Sequence, residues 1–145
     1  MIIDANIFLE AALDRERAEA CRRFLGKVKD GSVQAAITDF HVDSILVVLE
    51  GHGMGWIEMS RFLASLLRYK GLTVHSPGLV GRLRATGVMR EHRMDFDDAL
   101  VVQTLRDLSR KTVISYDGHL DGIEGVDRKT PEELLSDLGE GRKPA

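Results

Sequence analysis

The chain has 145 residues, 43% hydrophobic and 30% charged, enough to bury the core of one domain without a disulfide or metal staple. Its single cysteine, Cys21, excludes a disulfide framework and suits a reducing, cytoplasmic setting, and no apolar run nears the roughly 20 residues that span a bilayer. A net charge of −3 and a pI near 5.9 exclude a generally basic nucleic-acid binder but leave room for a locally basic site.

No basic-flanked apolar leader opens the chain, so export is not expected. Met1–Ile3 reads as a first strand, and a helix begins near Asn6. Cys21, Phe24, Leu25 and Val28 recur at i, i+3, i+4 and i+7, one face of an amphipathic helix. Its polar side carries Arg22, Arg23, Lys27 and Lys29. Val33–Ile37 is a second strand. From Asp39 to Glu50 the chain reads as a helix capped by Thr38, although Ser44–Leu49 is rich in strand formers. Gly51–Gly55 lacks the Gly-Lys-Ser/Thr ending of a phosphate loop and reads as a flexible turn. Met59, Phe62, Leu63, Leu66 and Leu67 mark another helix, and Trp56 beside it reads as core or dimer interface, with base stacking as the functional alternative.

Leu72–His75 and Thr112–Ser115 are further strands, with a weaker one at Gly125–Asp127. Between them, Val101, Leu105 and Leu108 mark a helix opened by the acidic run Asp95–Asp98. Pro131 starts a last helix with Thr130 as N-cap. Residues 139–145 read as a flexible C-terminal tail behind a domain over 1–138. Strands alternating with helices imply an α/β fold with parallel pairing and helices on both sheet faces. In such sheets the functional crevice lies beyond the carboxyl ends of the strands.

Acids from four segments fall where that crevice is expected. Asp4 ends the first strand, although Asp is also a good helix cap. Asp117 follows the Thr112–Ser115 strand, although Asp117-Gly118 is also an ordinary turn. Asp95, Asp97 and Asp98 exceed what capping requires; on a helical wheel Asp97 and Asp98 both flank the apolar stripe, so spacing does not choose between them. Asp43 sits among Val42, Leu46 and Val47, where a carboxylate is costly unless paired, metal-bound or facing a cleft. Carboxylates gathered in one crevice share protons or hold a hard divalent cation. With no His or Cys at ligand spacing, the donors point to Mg2+ or Mn2+ rather than zinc. Such an ion suits phosphodiester hydrolysis.

Taken together, these segments resemble the PIN-domain family, and most closely its VapC-type toxin ribonucleases. Met1-Ile-Ile-Asp-Ala-Asn-Ile-Phe8 is similar to the family's opening strand, and Ile37–Asp43 to the segment carrying its second acid. Asp95-Phe-Asp-Asp-Ala-Leu100 is similar to the third motif, in which the Asp before Ala is the ligand, here Asp98. Val113-Ile-Ser-Tyr-Asp117 is similar to the closing motif. Asp43 departs from the usual Glu, and Ser115 from the commoner Thr. The resemblance covers Met1 to about Leu138. It implies a three-layer α/β/α sandwich with a mainly parallel sheet, metal-dependent RNA cleavage, a homodimer and an antitoxin partner.

On this reading Asp4, Asp98 and Asp117 hold the ion. Asp43 helps to deprotonate the attacking water, while Asn6 and Ser115 orient the carboxylates or contact a phosphate. Arg82, Arg84, Arg90 and Arg93, with His92, form a basic rim for RNA, weighed against a solvated helix face. The rival readings are a non-catalytic PIN-like RNA-processing or interaction module, a structure-directed DNA nuclease, and a phosphoaspartyl phosphotransfer protein. The last lacks the second acid or Thr expected soon after Asp4.

Overall fold

Alternation of side chains along an extended chain sends Ile3 to one face of a sheet and Ile2 to the other, and two cores form on that basis. The computed structural model describes residues 1–139; beyond Gly139 the tail expected over 139–145 lies outside the described residues. The chain runs β1 (Ile2–Ile3), α1 (Ala5–Ala12), α2 (Ala18–Lys29), β2 (Ala35–Thr38), α3 (Asp39–Gly51) and α4 (Trp56–Leu66). It continues through β3 (Leu72–His75), α5 (Gly78–His92), α6 (Phe96–Asp107), β4 (Thr112–Ile114), a short 3-10 turn at Gly118–Leu120, β5 (Asp127–Lys129) and α7 (Pro131–Asp137).

All strand pairs are parallel, in the order β3-β2-β1-β4-β5. Ile2 is level with Ala36 on one side and Val113 on the other, so β1 is central. Ile3, Ile37 and Ile114 pack under α1, α2 and α3, joined by Leu134 of α7. Ile2, Ala36 and Val113 pack under α5 and α6 through Ala85, Val88, Val101 and Leu105. The expected three-layer α/β/α sandwich is the fold. Burial of these mainly aliphatic side chains stabilises it by about 1.5–3 kcal/mol per Val, Leu or Ile.

Thr38 caps α3 as expected, its Oγ1 accepting from the His41 N–H at 3.0 Å. The helix over Asp39–Gly51 therefore prevails over the strand propensity of its middle. The fifth strand starts at Asp127 instead of Gly125, because Gly125 has φ +79° and Val126 N–H turns back to Ile123 O. Trp56 is 76% exposed at the start of α4, which removes the core reading. Leu63 and Leu67 are exposed too, and only Leu66 of that apolar stripe is buried. No helix among the described residues is long and apolar enough to cross a membrane.

Candidate active site

Parallel strands open all their carboxyl ends on one edge, and between β1 and β4 the chain order reverses across the sheet. Asp4 follows β1 and Asp117 follows β4, so the two acids flank that switch point. Asp4 occupies the N-cap position of α1, yet its side chain makes no capping bond. Instead Oδ2 accepts a hydrogen bond from Ser115 Oγ at 2.6 Å. Ser115 Oγ in turn accepts from the Asp117 N–H at 3.0 Å, so one buried hydroxyl sets both acids.

Asp98 comes from the first turn of α6. Asp95, at that helix's N-cap, makes no side-chain capping bond either, so capping does not account for the acids there. Asp4 and Asp98 are each only 5% exposed. Burial, then the contact with Asp117, pushes the Asp98 carboxyl up to about 7. Burial also raises Asp4, opposed by its bond from Ser115. Carboxylates held this close either share a proton or take up a cation.

His119 Nδ1 stands 3.1 Å from Asp117 Oδ1 and 3.9 Å from Asp98 Oδ2. One donor atom each from Asp98, Asp117 and His119 falls within 4.8 Å of the others. Two carboxylates and one imidazole at this spacing could hold a divalent cation. The oxygen-only donor set expected from spacing thus gains a nitrogen. Asp117 also accepts from the His119 N–H at 2.9 Å, so its turn role and its place in the cluster coexist.

Asn6 is half-buried in α1, and its Oδ1 has no hydrogen-bond partner among the described residues. Asp43 is exposed and lines an apolar hollow with Val42, Leu63, Leu66, Leu67 and Val74. The structure does not bring it to the other three acids. The cations divide as well. Arg93 and His92 line the same hollow as Asp98 and His119. Arg82 donates to Asp39 Oδ1 at 3.4 Å and to Gly78 O at 3.1 Å. Arg84 and Arg90 open instead into a groove shared with Gln103 and Arg106.

Three groups at this edge escaped the sequence reading. His41, fully buried in the first turn of α3, pairs through Nδ1 with Thr38 Oγ1 and through Nε2 with Asp97 Oδ1 at 2.6 Å. Its signal was the Thr38-x-x-His41 spacing, which turns a side chain back over a helix start. His119, two residues after Asp117, was legible only once that turn was known. The Arg17 guanidinium lies 4.1 Å over the Tyr116 ring, beside Asp117; nothing local in sequence links the two.

The fold is that of a VapC-like PIN domain. A toxin-antitoxin complex from Klebsiella pneumoniae superposes with a TM-score of 0.66 at 16% identity, over 90% of this chain and 96% of that one. VapC20 of Mycobacterium tuberculosis, a sarcin-ricin loop cleaving toxin, superposes with a TM-score of 0.67 at 12% identity, over 81% of this chain and 89% of its own. No family model matches the sequence, and no curated protein matches it.

Proposed function

We propose that this protein is a divalent-metal-dependent endoribonuclease and the toxin of a toxin–antitoxin pair. The observation that carries the reading is the meeting of Asp98, Asp117 and His119 beside buried Asp4 at the switch point of the sheet. The likeness to a chain of a toxin-antitoxin complex and to a toxin supports it at the level of fold.

Asp4, Asp98 and Asp117 would hold Mn2+ or Mg2+, with His119 as a fourth donor. When bound, such an ion lowers the pKa of an attacking water and offsets charge on the scissile phosphate. The chain's own residues do the rest. Ser115 orients Asp4 by donating to Oδ2, which favours the charged form against the opposing effect of burial, and holds the Asp117 backbone. Asn6 Oδ1 is a buried acceptor with no partner among the described residues, so a contact from Asn6 to phosphate would come from its Nδ2 amide. Arg93 offers phosphate a positive charge at the rim of the acidic hollow. Arg84 and Arg90, in their separate groove, and Arg82, paired with Asp39, would add to the wider positive field around α5.

Exposed Leu67, Leu79, Val80 and Leu83 give apolar surface for a protein partner, in this reading an antitoxin or a second copy in a homodimer. A cytoplasmic setting agrees with buried, unpaired Cys21, whose thiol burial pushes up to about 11.

The test is incubation of structured RNA with the protein and Mn2+. Cleavage that stops in EDTA and is lost in Asp98→Asn is expected; cleavage unaffected by both refutes the reading. Flap DNA cut in preference to RNA would assign the same chemistry to a DNA nuclease.

A further inference from the structure

At the carboxyl edge of the sheet, the first turns of α3 and α6 meet at two points. Phe40 and Phe96 pack edge to face with ring centroids 5.2 Å apart. One residue on in each helix, His41 Nε2 reaches Asp97 Oδ1 at 2.6 Å. A carboxylate oxygen only accepts, so Nε2–H donates, and Nδ1 is left to pair with the Thr38 hydroxyl. That hydroxyl is itself fixed by accepting from the His41 backbone N–H at 3.0 Å. Thr38 and His41 are both fully buried, whereas the Asp97 side chain is 56% exposed. A rigid, dry imidazole thus grips one oxygen of a solvent-reaching carboxylate. Asp97 Oδ2 makes no hydrogen bond among the described residues, and the Asp97 charge acts on both Asp4 and Asp98.

Asp43 lies two residues past His41, about 200° around the helix. A side chain at position 41 that points to the cluster therefore sends position 43 away from it, as its exposure over the apolar hollow shows.

We propose that His41 is a positioning residue that holds Asp97 as the fourth carboxylate of the cation site, so that α3 contributes through an imidazole relay and not through Asp43. This rests on the acidic cluster being a cation site, as argued above. His41 and Asp97 act as a unit: removing either loses the same placed charge. Outer partners that orient a metal site are worth about 10–100-fold in affinity.

The experiment is calorimetric titration of Mn2+ into the metal-free full chain, with thermal melting to confirm folding. Asp97→Asn and His41→Ala are each expected to weaken Mn2+ binding about tenfold. The double variant is expected to weaken it no further than either single change. His41→Gln, whose amide retains a donor near the Nε2 position, is expected to keep most of the affinity, and with Asp97→Asn it keeps the test open if His41→Ala does not fold. Wild-type affinity in Asp97→Asn, or additive losses in the double variant, would overturn the proposal. Asp98→Asn separates the two levels. If Asp98→Asn loses Mn2+ while Asp97→Asn does not, the relay fails and the cation site stands; if Asp98→Asn binds as wild type, the cation site itself fails.

Discussion

The Ser115 hydroxyl donates to Asp4 Oδ2 at 2.6 Å, joining the ends of β4 and β1 across 111 residues of sequence. Through the same oxygen Ser115 accepts from the Asp117 N–H, so the two strand-end acids share one anchor. Ser115→Ala leaves buried Asp4 without that donor. Loss of about 1–3 kcal/mol of stability is expected at neutral pH, read as a lower urea midpoint with an unchanged slope. An unaltered midpoint would show that water replaces the hydroxyl at no cost.

Asp98 makes stability depend on pH in a defined direction. Its carboxyl is raised from the usual range to about 7, first by burial and then by Asp117. Between those values the folded chain holds a proton that the unfolded chain has released, so folding weakens as pH rises. The contribution is complete below about pH 4 and gone above about pH 7. Asn cannot ionise, so Asp98→Asn is expected to gain in melting temperature on metal-free wild type between pH 4 and pH 8. Mn2+ added at pH 8 should close the gap by stabilising wild type alone. Parallel melting curves across that range would contradict the burial of a proton-sharing pair.

Thr38 serves α3 twice, as its N-cap and as the partner of His41 Nδ1. Thr38→Ala is expected to cost about 1–2 kcal/mol, more than an exposed cap, while Thr38→Ser keeps the hydroxyl and most of the stability. Equal melting temperatures for the Ala and Ser variants would dismiss the double role.

The residues of strands and helices were legible where pattern and packing agree. Leu72–His75 has the expected bounds, and Cys21, Phe24, Leu25 and Val28 form one buried face. Asp4, Asp98 and Asp117 stand at strand and helix ends, where topology alone directs them to a common edge. Asp43 illustrates the limit. Of its apolar sequence neighbours only Val42 lines the open hollow beside it, and Val47 is exposed, because the rotation of α3 is set by Val42, Ile45 and Leu49 packing on the sheet. Nothing in the local spacing gives that rotation. For the same reason local spacing gives no partner for His41, which finds Asp97 56 residues away.

Gly71 tests the fold independently of the site. A Cβ there would stand 2.1 Å from Val33 O and 2.8 Å from Val28 O, both backbone atoms that cannot swing aside. Gly71→Ala is expected to cost at least about 1–3 kcal/mol and to lower the melting temperature by several degrees. A wild-type melting curve would mean that the approach of β3 to the end of α2 is looser than described.

The most direct measurement of the central claim is the electron paramagnetic resonance signal of free Mn2+ titrated with metal-free wild type, Asp98→Asn and Asp117→Asn. Wild type should quench the free-ion signal at one site per chain, and each variant should require at least about tenfold more protein to do so. Equal quenching by all three, or none by wild type, would contradict a divalent-ion centre built on these acids.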